Sequence, residues 1–454
     1  MIDLLERSAR RDPDHDAVVG ESRSLTYGEF LAEARTVAAH LRALGATRVA
    51  IAEDDPVTSI IVLAGCACAG IEACVLPRAA ADDGILALAD RIGGATIVTS
   101  RQIDSPDVVA TETVLAPIGA ADDPAGSPDS DGTVLVLTTG TSGAARAARH
   151  LWSRVMSPIE DARPTPDQRW ILSYGLNQFG GLQVLLHVFA SSSTLYVPDS
   201  YQPRHAANLL SQWGITHASG TPTFWRFVLL ELAGAKSQPP LAQITLGGEA
   251  VPAPLLKTLR ERFPDANISQ IYGATEYGSN ITVKDGLPGL PLDILKAHDR
   301  LQFEVRDGEL WVRSTTSMLG YRDTDSDATS GDLDLGEWRP TGDLVEIVGD
   351  RVQFRGRKYE VINVGGVKVH PFPIEECISG VDGVVVARVR GRANPVVGSI
   401  VAAEIVVADG HDPDTVVAAV RTACEELPPA ARPRSIKVVD ELRTTGNKIA
   451  RGDA

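Results

Sequence analysis

The chain has 454 residues, enough for two or three folding units around a large core, and its 44% hydrophobic and 22% charged residues are ordinary for a globular enzyme. A formal net charge of −16 argues against nucleic-acid partners and anionic membrane surfaces, so a polyanionic ligand must be met by local groups and Mg²⁺. The opening Met1-Ile2-Asp3-Leu4-Leu5-Glu6 turns charged at once, unlike a targeting segment, which predicts a cytoplasmic protein.

Residues 27–44 carry Phe30, Leu31, Ala34, Val37, Ala38, Leu41 and Leu44 on one stripe, which predicts an amphipathic helix. Strands are expected at 48–52, 73–76 and 96–99. The alternation of the two patterns implies helices packed on largely parallel sheets. The longest apolar run, Ile60 to Ile71, is broken by Glu72 and falls short of the ~18 residues of a membrane span, so a buried helix and no membrane insertion are expected. Cys66, Cys68 and Cys74 lie in or beside that run, and Cys377 and Cys424 fall on later predicted helices. Their spacings do not bring sulfurs to one helical face, so reduced core cysteines are expected and a metal site is not.

A connector rich in Asp, Pro, Gly and Ser (121–132) leads into the apolar run Thr133 to Leu137. Directly behind it stand Thr138-Thr139-Gly140-Thr141-Ser142-Gly143. Glycines let a backbone approach phosphate closely, and hydroxyls and exposed N–H groups donate to its oxygens, so this loop reads as a nucleotide cradle. It is not a Walker A loop, because G-x-x-x-x-G-K-[ST] occurs nowhere in the chain.

Farther on, alternating residues around Asp307-Gly308 and around Gly349-Asp350 predict two β-hairpins, a small β unit after the α/β layers. Residues 322–336 carry five aspartates and read as a mobile acidic surface loop. After Gly356-Arg357 come a hairpin (359–370), a short helix, and strands at 384–390 and 400–407. A helix capped by Asp412-Pro413 follows, with Val416, Val420, Ala423, Cys424 and Leu427 on one face. That is a compact α+β unit of about a hundred residues, the size of a separate domain.

Five stretches in this order resemble the core motifs of the acyl-adenylate-forming superfamily, which holds acyl- and aryl-CoA synthetases, nonribosomal peptide synthetase adenylation domains and luciferases. They are the loop at 137–143, Tyr272-Gly273-Ala274-Thr275-Glu276, Thr341-Gly342-Asp343-Leu344, Gly356-Arg357 and Thr445-Gly446-Asn447-Lys448-Ile449-Ala450-Arg451. Leu25-Thr26-Tyr27 and Gly320-Tyr321 look like further shared elements, and the resemblance spans nearly the whole chain. It implies an α/β fold: a large N-terminal AMP-binding domain (1–356) of layered, mostly parallel sheets flanked by helices plus the small β unit. A small mobile α+β lid (357–454) carrying the catalytic lysine would follow. It also implies ATP, Mg²⁺, and CoA or phosphopantetheine as acyl acceptor.

Activating a carboxylate brings two anions together, so the site must neutralise charge and hold an in-line geometry. By resemblance, the hydroxyls of Thr138, Thr139, Thr141 and Ser142, with the backbone of Gly140 and Gly143, meet the β- and γ-phosphates. Arg146 replaces the usual lysine, exchanging a compact ammonium for a fork that grips phosphate bidentately. Gly248, Glu249, Tyr272, Gly273 and Ala274 border the nucleotide, with Tyr272 placed to stack on the base and Thr275 to bond a phosphate. Glu276 would hold Mg²⁺. Asp343 would accept both ribose hydroxyls, Arg357 would sit near ribose or phosphate, and Lys448 would stabilise the charge developing between carboxylate and α-phosphate.

The chain departs from the pattern in places. Asn447 stands where glycine is usual, though Asn tolerates the left-handed region. The hinge position, generally Asp or Lys, is Tyr359. In Leu176-Asn177-Gln178-Phe179-Gly180, Asn177 replaces a gating histidine and either faces the ring of an aryl acid or caps a turn. Asn177, Phe179, Gly180, Gly181 and Gly247 suggest a short pocket for a small, flat aromatic acid. The expected function is adenylation of a carboxylic acid and transfer to CoA or to a carrier protein in trans. Transfer to an amine, or a non-catalytic nucleotide-binding role, are the alternatives.

Overall fold

The computed structural model describes residues 1–117, 131–139, 145–235, 237–296, 300–322, 335–394, 398–442, 444–445 and 448–449. The cradle residues Gly140, Thr141, Ser142 and Gly143, most of the acidic stretch 322–336, and Gly446 and Asn447 lie outside them.

The apolar run forms the Pro56–Ala69 helix, in which every residue but Ala69 is buried. Its start is set by Asp55, whose carboxylate accepts the N–H groups of Val57 (3.2 Å) and Thr58 (3.0 Å), with Pro56 in the first turn. The Tyr27–Ala43 helix lies against it, opened by a reciprocal Thr26/Glu29 capping box. Phe30, Ala34, Val37, Ala38 and Leu41 are buried as the stripe predicts, whereas Leu44 ends the helix and is 51% exposed, because the helix stops before bringing it round to the core. The two helices approach closely at Gly65, where a Cβ would collide with Val37 and crowd the Ala34 carbonyl.

These helices and Phe179–Ser191 share one core with residues of two sheets, so they lie between the sheets. The first sheet runs, by neighbours, Gly320–Arg322, Ala145–Leu151, Thr133–Thr139, Glu72–Val75, Arg48–Ile51, Thr96–Thr99 and Val108–Ala110. Its last five strands are parallel. The second runs Asn280–Val283, Asn267–Gly273, Gln243–Gly247, His217–Gly220, Arg169–Ile171, Thr194–Val197, Asp16–Gly20 and Ser24–Thr26, parallel except at its two edges. The outer face of the second sheet buries Ile244, Leu246 and Ala218 under the Pro203–Gln212, Pro222–Leu232 and Ala253–Arg262 helices.

A five-stranded antiparallel sheet contains both predicted hairpins, Leu301–Arg306 with Glu309–Ser314 and Arg339–Val348 with Arg351–Arg357. Beyond Arg357 a separate core forms around Ile374, Ile378, Val389, Ile405 and Val420, with strands Val384–Asn394 and Gly398–Val407 at its centre. Asp412 caps the Pro413–Ala423 helix as expected, but Cys424 falls in the 3₁₀ turn that follows rather than in the helix. Cys66, Cys68, Cys74 and Cys424 are buried thiols. No described helix is long and apolar enough to cross a membrane.

Gly65→Ala forces a methyl against Val37 at the tightest helix contact and is expected to cost about 1–3 kcal/mol, the range for overpacking. A thermal melt with an unchanged midpoint would show that the two helices separate freely.

Candidate active site

The Asn267–Gly273 strand ends in Tyr272 and Gly273, and a 3₁₀ turn over Thr275–Tyr277 follows. Gly278 takes φ +63° and leaves no room for a Cβ against the Thr316 carbonyl, so only glycine closes this turn. The backbone of the turn is clamped from one side: the Ser314 and Thr316 hydroxyls donate to the Tyr277 carbonyl, and the Met318 N–H donates to that of Glu276. Tyr321 donates its hydroxyl to Glu276 Oε1 at 2.6 Å, and the Arg146 guanidinium lies 3.5 Å from the Tyr321 ring centroid. Burial and the neighbouring Glu276 carboxylate push the Tyr321 pKa up, so this hydroxyl remains a donor. The second oxygen of Glu276 has no partner among the described residues. One anchored and one open carboxylate oxygen beside a cationic fork fits a Mg²⁺–phosphate group.

Asp343 is 8% exposed. Its Oδ2 accepts the Tyr272 hydroxyl at 2.7 Å and its Oδ1 pairs with Arg357 Nε at 2.9 Å. Arg357 also donates to the Thr341 carbonyl (3.0 Å). Burial opposes the Arg357 charge, but Asp343 together with Tyr272, Tyr359 and Tyr277 outweighs it and holds the pKa above the ordinary value. The Tyr272 ring packs between Phe303 and Phe354, at 5.8 and 5.3 Å, so the expected stacking face belongs to a tyrosine already fixed on two sides. An ionised carboxylate accepts more than two hydrogen bonds, so Asp343 retains capacity for hydroxyl donors from the cleft.

Both groups border a continuous cleft of about 3120 Å³, which also reaches Thr138, Arg146, Asn177, Gly247 and Gly248. On the acid side, Tyr174 packs on Gly180, and a Cβ at Gly181 would collide with the Gly175 carbonyl, so the start of the Phe179–Ser191 helix is pressed onto the preceding turn. Gln178 occupies the helix N-cap without a side-chain cap bond; Asn177 stands in the turn closed by the Gln178 N–H to the Gly175 carbonyl (2.9 Å), and it also lines the cleft. The cavity is longer than the short pocket expected from sequence: it continues along the helix as far as His187 and His217.

The hairpin Thr444–Thr445/Lys448–Ile449 reaches the same cleft. The Ile449 N–H donates to Glu249 Oε1 at 3.3 Å, and Glu249 Oε2 accepts the Thr223 N–H at 3.0 Å. Residue 448 is thereby set beside the Gly247-Gly248-Glu249 turn by backbone geometry. Two further participants were not assigned to the site from sequence. Glu309 is 6% exposed; its carboxylate takes the Gly342 N–H (3.1 Å) and Lys358 Nζ (2.9 Å), linking the Thr-Gly-Asp turn to the residue before Tyr359. Tyr321 stood in a motif, but only the fold brings it to Glu276.

Residues 5–322 match the protein family described as AMP-binding enzyme, and residues 373–448 match the AMP-binding enzyme C-terminal domain. The chain is 27% identical to a 3-[(3aS,4S,7aS)-7a-methyl-1,5-dioxo-octahydro-1H-inden-4-yl]propanoyl:CoA ligase of Mycobacterium tuberculosis, over 98% of this chain and 96% of that one. It is also 27% identical to a feruloyl-CoA synthase of an Amycolatopsis species, with the same coverage. Among solved structures, an anthranilate CoA ligase bound to anthranoyl-AMP superimposes with a TM-score of 0.86 at 20% identity, covering 99% of this chain and 95% of the other. The o-succinylbenzoate CoA synthetase of Bacillus subtilis gives 0.79 at 20% identity, covering 99% and 96%. At this identity the superpositions establish the fold, with its large and small parts.

His150, fully buried and 5.8 Å from the Phe179 ring, has its pKa driven from 6.5 to about 4, first by burial and then by Arg154. The unfolded chain therefore binds more protons than the folded one between those values, and stability is lost as pH falls through that window. His150→Phe is expected to flatten the decline in melting temperature from pH 6.5 to 4. An equally steep decline would mean that His150 is protonated in the native state.

Proposed function

The chain belongs to the AMP-binding enzyme family of the acyl-adenylate-forming superfamily, an ATP-dependent carboxylic acid–thiol ligase, and we propose that its acid is aryl or cyclic and its acceptor free coenzyme A. The observation that carries the reading is the backbone bond from Ile449 to Glu249, which brings the Lys448 strand of the small part to the cleft that Asp343 and Glu276 border.

In the first half-reaction a carboxylate oxygen bonds the α-phosphorus of ATP and the bond to the bridging oxygen breaks, releasing pyrophosphate. Asp343, oriented by Tyr272 and Arg357, fixes the ribose. Thr138 and Arg146 border the cleft on either side of the stretch Thr139, Gly140, Thr141, Ser142 and Gly143, to which phosphate binding is assigned. Thr275 bonds a phosphate oxygen, and Glu276 would hold Mg²⁺, which would supply neutralisation of phosphate charge. Lys448 supplies positive charge where the two anions meet. Gly247, Gly248 and Ala274 leave space for the acyl-adenylate, and Asn177 and Phe179 border the acid.

In the second half-reaction the thiol displaces AMP from the acyl carbon. We place the domain boundary at residue 356/357 and the hinge at Tyr359, which is 60% exposed in a 3₁₀ turn. Rotation would break the packing of Phe227 against Val386, Val406 and Leu442, the Ile449–Glu249 bond, and the contacts of the Pro371–Ser379 helix, whose Glu376 accepts the Ala253 N–H at 3.4 Å. Relatives named as CoA ligases support free CoA as acceptor. No observation favours a carrier protein or an amine.

The reading is tested by ATP–pyrophosphate exchange over aryl, cyclic and short-chain acids, followed by thioester formation with CoA. Exchange with none of them would overturn it. Lys448→Ala is expected to leave ATP binding nearly intact and to slow adenylate formation by roughly two to three orders of magnitude, the scale of one transition-state charge contact. Thioester formation from preformed acyl-adenylate should change much less; wild-type exchange in this variant would remove Lys448 from the chemistry.

A further inference from the structure

The second sheet is covered by helices on both faces, an arrangement in which both faces are ordinarily apolar. Over Gln243–Gly247 and His217–Gly220 its inner face is not. Alternation along Gln243–Gly247 sends Ile244 and Leu246 to the outer core and Gln243, Thr245 and Gly247 to the cleft. Along His217–Gly220, Ala218 faces outward while His217 and Ser219 face the cleft. The Phe179–Ser191 helix presents Gly180, Val184 and His187 to the same space, one helical stripe. From Gly180 to His187 the helix rises about 10 Å, so the cavity runs that far beyond the entrance of the acid pocket.

The far end is a built polar chamber. The Trp170 ring lies 5.0 Å from that of His187 and 4.9 Å from that of His217, and its Nε1 donates to Gln168 Oε1 at 3.0 Å. Gln243 Nε2 donates to the hydroxyls of Thr245 (3.2 Å) and Ser269 (3.0 Å), which fixes its amide. Thr216 engages His217 Nδ1 at 2.8 Å. Left without partners among the described residues are His217 Nε2, both ring nitrogens of His187 and Gln243 Oε1. Burial lowers both imidazole pKa values, that of His217 to about 4, so at neutral pH the rings are uncharged and each carries one N–H. Polar groups in such a wall gain most from a ligand that completes their hydrogen bonds.

We propose that this chamber binds an uncharged oxygen, a ketone or hydroxyl, at the distal end of the carboxylic acid, so that His187, His217 and Gln243 select an elongated cyclic acid over a bare aryl acid. The proposal rests on the ligase reading above. It assigns specificity to positions about two helical turns beyond Gly180, the residue at the entrance of the acid pocket.

The test compares pyrophosphate exchange by the full-length enzyme on benzoate, on para-acetylphenyl-butanoate and on its para-ethylphenyl counterpart, in which the ketone oxygen is absent. Wild type is expected to prefer the ketone acid over the ethyl acid by about tenfold or more in kcat/KM, the scale of a site built to hydrogen-bond a substrate oxygen. His217→Phe and Gln243→Leu should each bring that ratio close to unity, and circular dichroism identifies a variant that has failed to fold. A ratio within twofold in wild type, a ratio unchanged in both folded variants, or exchange with benzoate alone overturns the chamber while leaving the ligase reading intact. Exchange with no acid of any kind sinks the ligase reading and the chamber with it.

Discussion

A carboxylate almost withdrawn from solvent has to be paired, and Asp343 is where this molecule meets that requirement. Tyr272 comes from the end of a parallel strand in one sheet, Arg357 from the last residue of an antiparallel strand in another, and both close on the same side chain. Removing either would leave a buried charge short of a partner, so the two sheets are held in one relative position. The next residue repeats the arrangement: Lys358 pairs with Glu309, whose other oxygen takes the Gly342 N–H. The turn assigned to ribose and the segment leading to Tyr359 therefore share two adjacent ion pairs, and the small part of the chain is anchored at the point where it would pivot.

A second buried carboxylate positions the opposite wall. Glu72 is 6% exposed and meets Arg48 (2.6 Å), Arg149 (2.5 Å) and Arg322 (3.3 Å). Burial alone would raise its pKa, but the hydrogen bonds from Arg48 and Arg149 override that and hold it below the ordinary carboxylate value. Arg322 belongs to the edge strand that carries Tyr321, and Tyr321 reaches Glu276. An ion cluster on the far side of a strand thus sets the orientation of a group in the cleft, and Arg146 stacks on the result.

The second sheet divides its labour between faces. Its outer face is a compact apolar core around Leu246, Ile244 and Trp225, while the inner face over the same strands gives up apolar burial for Thr245, Ser219, Gln243 and His217. At ~25 cal/mol per Å² of apolar surface, forgoing that burial is a real loss of stability. The fully buried Pro56–Ala69 helix and the intersheet core supply the apolar burial elsewhere.

Sequence alone determined the local elements. The stripe in 27–43, the apolar run Ile60 to Ile71, the Asp412-Pro413 cap and the turns at Asp307-Gly308 and Gly349-Asp350 are short-range periodicities and caps, each decided by neighbours within a few residues. The ordered motifs also identified the superfamily, and with it the pairing of a large and a small part. Tertiary structure alone decided which side chains meet: Tyr321 with Glu276 across 45 residues, Lys358 with Glu309 across 49, and Ile449 with Glu249 across 200. It also decided the length of the acid cavity, which the glycines at 180, 181 and 247 had suggested to be short. Those glycines report only on the mouth of the channel. Its far end is formed where one face of a helix lies over alternate residues of separate strands, and no local pattern in a chain encodes which helix will cover which strands.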